Sequence, residues 1–139
     1  MKVLVSACLL GDNCKYNGKN NFNEKLFRFL ADKEVIAICP EVFGGLYTPR
    51  SPVEIVGEKA INKQGEDCTA QFEKGAKIAL EIAEREQPDL IILQPRSPSC
   101  GAKQIYDGTF SGKLIDGQGF TARLLKEKGF LLKEPEDLI

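Results

Sequence analysis

Apolar positions along this chain fall into two patterns. Lys2 to Ala7, Val35 to Ile38 and Leu90 to Leu93 are short, nearly continuous apolar runs, a length and composition that suit parallel strands buried on both faces. Between them, apolar residues recur at helical spacing. Asn23 can cap a short helix over residues 24–30, with Leu26, Phe29 and Leu30 on one face, which supplies a crossover between the first two strands. The longest helix is expected to start from Asp67 or Thr69 as N-cap, because Phe72, Ala76, Ala79, Leu80 and Ala83 repeat on one face as far as the stop at Pro88. A third helix over about Phe120 to Lys128 turns Leu124 and Leu125 inward, ends at Gly129 and leads into a fourth strand near Phe130 to Leu132. Val53 to Val56 and Ala60 to Asn62, with Gly57 between them, read as a hairpin, and Tyr106 to Phe110 as a further turn. Strands alternating with helices predict the α/β class: a three-layer α/β/α domain spanning 1–139, with a mostly parallel, Rossmann-like or flavodoxin-like sheet of about four strands.

Composition narrows the chemistry. With 139 residues and 42% hydrophobic content, the chain has material for one continuous core. Lysine and arginine number 19 against 20 aspartates and glutamates, so no excess charge draws the chain to nucleic acid or an anionic membrane. The expected partner is a small neutral-to-anionic molecule. The apolar N-terminus is broken by Cys8 and by Gly11-Asp12-Asn13, too early for a secretory core, so the first strand is expected to be kept. Five cysteines, an odd number, point to free thiols or thiolate ligands in a reducing compartment, and hence to the cytoplasm. Histidine is absent, which removes the usual general base of a Cys/His or Ser/His site and the commonest nitrogen ligand for zinc or copper.

Three of the cysteines stand at equivalent places. Cys8 follows the first expected strand, Cys39 the second and Cys100, at a short distance, the third. Ligands of open α/β sheets bind outside the strand carboxyl ends, where the strand order reverses, so these thiols can meet there. Taken singly, each can equally be a small buried hydrophobe. Structural zinc favours four ligands in close Cys-x-x-Cys pairs, which the chain lacks, and a thioredoxin-like motif fails for the same reason. Soft thiolates without histidine suit an iron-sulfur cluster or copper(I). A 4Fe-4S cluster with three protein ligands leaves one iron open for Lewis-acid work. Glu41 lies two residues beyond Cys39 and ahead of Gly44-Gly45, while Ser97 and Ser99 precede Cys100. Glu41 can instead cap a helix or pair with Arg50 or Arg96, and the serines can satisfy loop amides.

Ser6-Ala7-Cys8-Leu9-Leu10-Gly11, Cys14-Lys15-Tyr16-Asn17-Gly18, Cys39-Pro40-Glu41-Val42 through Gly44-Gly45-Leu46, Pro49-Arg50, and Ser97-Pro98-Ser99-Cys100-Gly101 resemble the bacterial family, formerly of unknown function, that includes the thiouracil desulfidases. The resemblance extends through Tyr106-Asp107-Gly108-Thr109-Phe110-Ser111-Gly112 and Gly117-Gln118-Gly119. It implies a 4Fe-4S cluster held by Cys8, Cys39 and Cys100, a catalytic carboxylate at Glu41 and a hydroxyl at Ser97. The implied reaction is non-redox: a thiolated pyrimidine such as 2-thiouracil exchanges sulfur for oxygen and sulfide is released. Glu41 would serve as base or proton relay for water, and Ser97 would orient water or substrate. Cys14 matches a further family cysteine and is given a supporting role, because a fourth thiol ligand would close the open iron. Cys68 is expected in the core. Lys15 and Asn17 stand where the resemblance leads one to expect arginine and aspartate, and Gln94 where a lysine is common. These exchanges bear on substrate preference rather than on the cluster. Longer relatives carry an extra C-terminal domain, and the tail after Lys133 is too short to replace it.

Two other classes accommodate the same residues. One is a module that binds a metal or an anionic small molecule through glycine-rich loops and Arg50 or Arg96 without turnover. The other is a thiol redox sensor using Cys8 and Cys14.

Overall fold

A computed structural model describes residues 1–138. In chain order its elements are β1 (Lys2–Ser6), a 3-10 turn (Ala7–Leu10), α1 (Glu24–Phe29), β2 (Glu34–Ile38), α2 (Pro40–Phe43), β3 (Val53–Val56), β4 (Lys59–Asn62), α3 (Thr69–Glu86), β5 (Leu90–Ile92), β6 (Gln104–Tyr106), β7 (Leu114–Asp116), α4 (Phe120–Glu127), β8 (Leu132–Lys133) and a second 3-10 turn (Pro135–Leu138). The four-stranded sheet runs β2-β1-β5-β8 with every pair parallel, and two antiparallel hairpins, β3-β4 and β6-β7, stand beside it. The order begins in the flavodoxin-like way. The chain steps from β1 outward to β2 and then returns to the other side of β1, so the strand order reverses between β1 and β5.

The pleat sorts the core into two halves. Val3, Val5, Leu90 and Ile92 pack with Leu26 of α1 and the adjoining Leu30 on one face. Leu4, Ile91 and Leu93 pack with Ala79 and Ala83 of α3 and Ala122 and Leu125 of α4 on the other. The result is three layers, α/β/α. Leu4, Ile91 and Leu125 are fully buried, each worth roughly 1.5–3 kcal/mol of burial. Asn23 does cap α1, its side chain accepting from the Leu26 amide at 2.9 Å. The α2 helix is seated on α3 through glycine. A Cβ on Gly75 would lie 1.8 Å from the Pro40 carbonyl oxygen, and one on Gly44 would lie 2.0 Å from that of Gln71, so only glycine lets these backbones touch.

Several sequence expectations need correction. Burial of the second strand on both faces does not hold: β2 is an edge strand, with Glu34, Val35 and Ala37 exposed and only Ile38 fully covered, because the helical layers centre on β1 and β5. Neither Asp67 nor Thr69 is the N-cap of α3. Cys68 occupies that position, Asp67 accepts from the Thr69 amide, and the Thr69 hydroxyl is taken up by the Ala60 amide of β4. The last strand begins two residues later than expected, since Phe130 packs into the core and pairing with β5 starts where Leu131 accepts from the Ile91 amide. The turn expected at Tyr106 to Phe110 joins two unforeseen strands, β6 and β7, whose second member is exposed throughout. The tail is tied down by Glu134, which is buried and accepts from the Ala102 amide at 3.2 Å. Among the described residues no helix is long and apolar enough to cross a membrane.

Candidate active site

Each of the three candidate thiols, Cys8, Cys39 and Cys100, owes its place to the chain beyond a strand end. Cys8 lies in the 3-10 turn that stops β1, closed by Gly11 in the left-handed region (φ 99°); its carbonyl accepts from the Gly11 and Asn21 amides. Cys39 is the N-cap residue of α2, with Pro40 opening the helix as its fixed φ favours. Cys100 sits in the turn after β5, where the Ser97 hydroxyl accepts from the amides of Ser99 (3.1 Å) and Cys100 (3.0 Å). These segments converge on one cavity of about 400 Å³, lined by Cys8, Cys14, Cys39, Glu41, Ser97 and Cys100 among others. It lies at the carboxyl ends of β1, β2 and β5, beside the reversal of strand order, where open α/β sheets bind ligands.

The thiols follow one another along the wall. The Cys39 sulfur lies 4.0 Å from the Cys14 carbonyl oxygen, the Cys14 thiol is near enough to Cys39 and Cys8 to be shifted by both, and Cys100 is near enough to Cys39 to feel its charge. Bonding with Cys39 favours the Cys14 thiolate, but the Cys8 thiol and burial outweigh it and push Cys14 up to about 11. The Cys14 thiol, and then burial, drive Cys39 well above the ordinary thiol range. Burial pushes Cys100 up to about 12, against the opposing hydroxyls of Ser6 and Ser99. Cys14, Cys39 and Cys100 are therefore protonated thiols near neutral pH, and a cation held here must displace those protons. Among the described residues no three histidine, cysteine, aspartate or glutamate side chains surround a single-ion position. A row of sulfur donors around a cavity of this size fits a polynuclear iron-sulfur group better than one zinc ion, which needs its ligands about a single point. All five cysteines are free thiols, and Cys68 lies apart in the core against Ala60 and Phe72.

Glu41 is held from two sides. Of its two candidate partners, Arg50 pairs with it, Nε donating to Oε1 at 3.1 Å; Arg96 lines the cavity but is exposed. The second carboxylate oxygen, Oε2, accepts from the Ser99 hydroxyl at 2.9 Å. Ser97 reaches Glu41 only through Ser99, the two hydroxyl oxygens lying 3.0 Å apart. Sequence reasoning named Ser99 beside Ser97 but gave the role to Ser97 alone, and it passed over Asn21. Ser99 could have been found from its neighbour: a serine three residues before Cys100 in a Ser-Pro-Ser-Cys turn commits its oxygen to the turn's amides, which leaves the second serine for the cavity. The Asn21 amide points at the Cys8 sulfur, 3.8 Å away, and no sequence signal marks it.

The family model described as 2-thiouracil desulfurase matches residues 3–137. An uncharacterised protein of Bacillus subtilis strain 168, YbbK, is 40% identical over 146 residues, covering 98% of this chain and 97% of its own. Among solved structures, that of TudS, a [4Fe-4S]-dependent thiouracil desulfidase, superposes with a TM-score of 0.93 at 39% identity, covering 99% of this chain and 92% of the other.

Proposed function

The chain belongs to the 2-thiouracil desulfurase family, and from that premise we propose that it is a [4Fe-4S]-dependent, non-redox desulfidase of a thiolated pyrimidine such as 2-thiouracil. The observation that carries this reading is the convergence of Cys8, Cys39 and Cys100 with Glu41 on one cavity. Its volume falls within the roughly 300–1,000 Å³ of small-molecule sites. Held by those three thiolates, a [4Fe-4S] cluster would supply a thiophilic Lewis acid with one iron free of protein ligands.

The chain's own residues account for the proton traffic. In the overall exchange, C=S and water become C=O and hydrogen sulfide, with no net electron transfer. Glu41 uses one lone pair on each oxygen for Arg50 and Ser99. A carboxylate has about four lone-pair sites, so it keeps capacity to accept a proton from the attacking water. The fixed orientation of that carboxylate sets the direction from which the water reaches the ring carbon. Ser97 lines the cavity and accepts from two turn amides, leaving its own proton to swing from Ser99 to a bound water or substrate. Lys15, Tyr16 and Tyr106 form further parts of the wall and would contact the rest of the heterocycle. We place the enzyme in the cytoplasm, acting as one domain over 1–139 on a free small molecule, with no nucleic-acid or membrane partner. The near balance of charge and the free thiols support this.

Protein reconstituted anaerobically with iron and sulfide is the test. Cluster absorbance, and stoichiometric sulfide from 2-thiouracil with uracil as the other product, are the expected results. Protein that takes up no iron, or takes it up and releases no sulfide from any thiolated base, defeats the reading.

A further inference from the structure

We propose that Arg50 and Ser99 are positioning residues that lock the Glu41 carboxylate in one orientation over the thiol-lined cavity, an inference that rests on the reading of Glu41 as the base. The two donors come from separate segments, the loop after α2 and the turn after β5, and each takes a different carboxylate oxygen. Arg50 is itself fixed. Its guanidinium also donates to the Cys14 carbonyl (2.9 Å), the Tyr47 carbonyl (3.1 Å) and the Thr48 hydroxyl (2.9 Å). Its side chain is 10% exposed and that of Glu41 14%, and Ser99 is 2% exposed, so water does not readily substitute for either donor.

A rigid planar fork reaching four acceptors at once is a task that a lysine ammonium on a flexible stem cannot reproduce. The same guanidinium joins the loop of Cys14 to the helix of Glu41, so the carboxylate is held in register with the row of thiols. Ser99 closes the clamp from the Cys100 side, and Ser97 steadies Ser99 through its hydroxyl and the turn amides.

Reconstituted Ser99→Ala, Arg50→Met and Arg50→Lys proteins, each also in a Glu41→Ala background, are the experiment. In the parent background iron and sulfide content should match the wild type, while kcat falls on the order of 10- to 100-fold and KM changes little, the signature of a misplaced group. Arg50→Lys should not restore the rate. In the Glu41→Ala background neither change should cost more, because what it positions is gone. Crystal structures of Ser99→Ala and Arg50→Met, read independently of turnover, should show Glu41 in more than one rotamer. Equal losses in both backgrounds, full activity of Arg50→Lys, or a single unchanged Glu41 rotamer in both structures overturns the proposal. An activity that Glu41→Ala itself leaves intact overturns instead the reading of Glu41 as the base.

Discussion

Replacing Gly75 by alanine tests whether the site depends on the seating of α2. The added methyl would sit 1.8 Å from the Pro40 carbonyl oxygen, where side-chain carbons essentially never approach within 3.0 Å of a neighbour. The obstacle is backbone rather than a flexible side chain, so α2 and α3 must part by at least about 1.2 Å. Overpacking of this kind costs about 1–3 kcal/mol, set against a gain of up to about 1 kcal/mol from alanine's better helix propensity. The net is a destabilisation of roughly 1–2 kcal/mol, read as a fall in Tm of about 3–10 °C. Function should suffer more than stability. Pro40 lies between Cys39 and Glu41, and a displacement of about 1 Å in a catalytic group can cost on the order of 100-fold in rate. Sulfide release from 2-thiouracil by the reconstituted variant, beside its thermal melt and iron content, is the assay, with Lys77→Ala on the exposed side of α3 as control. A Gly75→Ala protein that melts, loads iron and turns over like the parent would refute the close seating of the two helices.

Two further outcomes follow from the same geometry. Cys100→Ser should abolish iron loading, whereas Cys68→Ala, in the core against Ala60 and Phe72, should leave iron content unchanged and cost about 1 kcal/mol in urea unfolding; iron lost equally from both would dissociate the cavity thiols from the cofactor. Burial raises the Glu134 carboxyl above its ordinary 4.5, outweighing the Ala102 amide and Lys103, so the folded state holds this proton more tightly than the unfolded chain. The resulting stabilisation is complete below pH 4.5 and is lost as pH rises through the raised value. Glu134→Gln should therefore gain stability relative to the parent across that rise; urea unfolding between about pH 4 and pH 8 that shows a constant difference would contradict it.

What the sequence revealed was tied to strong local signals. The runs ending at Ser6 and Ile92 are strands because their apolar residues fill both faces of a pleat, the run ending at Ile38 pairs beside them as an edge strand, and the sites after all three could be located because ligands gather at such ends. The family resemblance then supplied roles for Cys8, Cys39, Cys100, Glu41 and Ser97 that spacing alone left open. Relations that depend on tertiary arrangement stayed hidden. Nothing local says that β2 is at the edge, that the short helix at Pro40 exists, or that Cys68 rather than Asp67 caps α3. The choice of Arg50 over Arg96 was equally illegible, because it is made by the loop that folds back to bring the Cys14 carbonyl and Glu41 to one guanidinium. That Ser99 rather than Ser97 meets Glu41 was hidden because the two stand 58 residues apart.

The return of the chain from β2, across β1, to β5 draws the three proposed sulfur ligands from widely separated stretches of sequence. Cys8 and Cys39 follow adjoining strands early in the chain, whereas Cys100 follows a strand that lies beyond the long helix α3. The position of Cys100 beside the other two depends on the crossover through α3 and on the pairing of β5 with β1. The proposed trio of ligands is therefore complete only once β5 has joined the sheet beside β1.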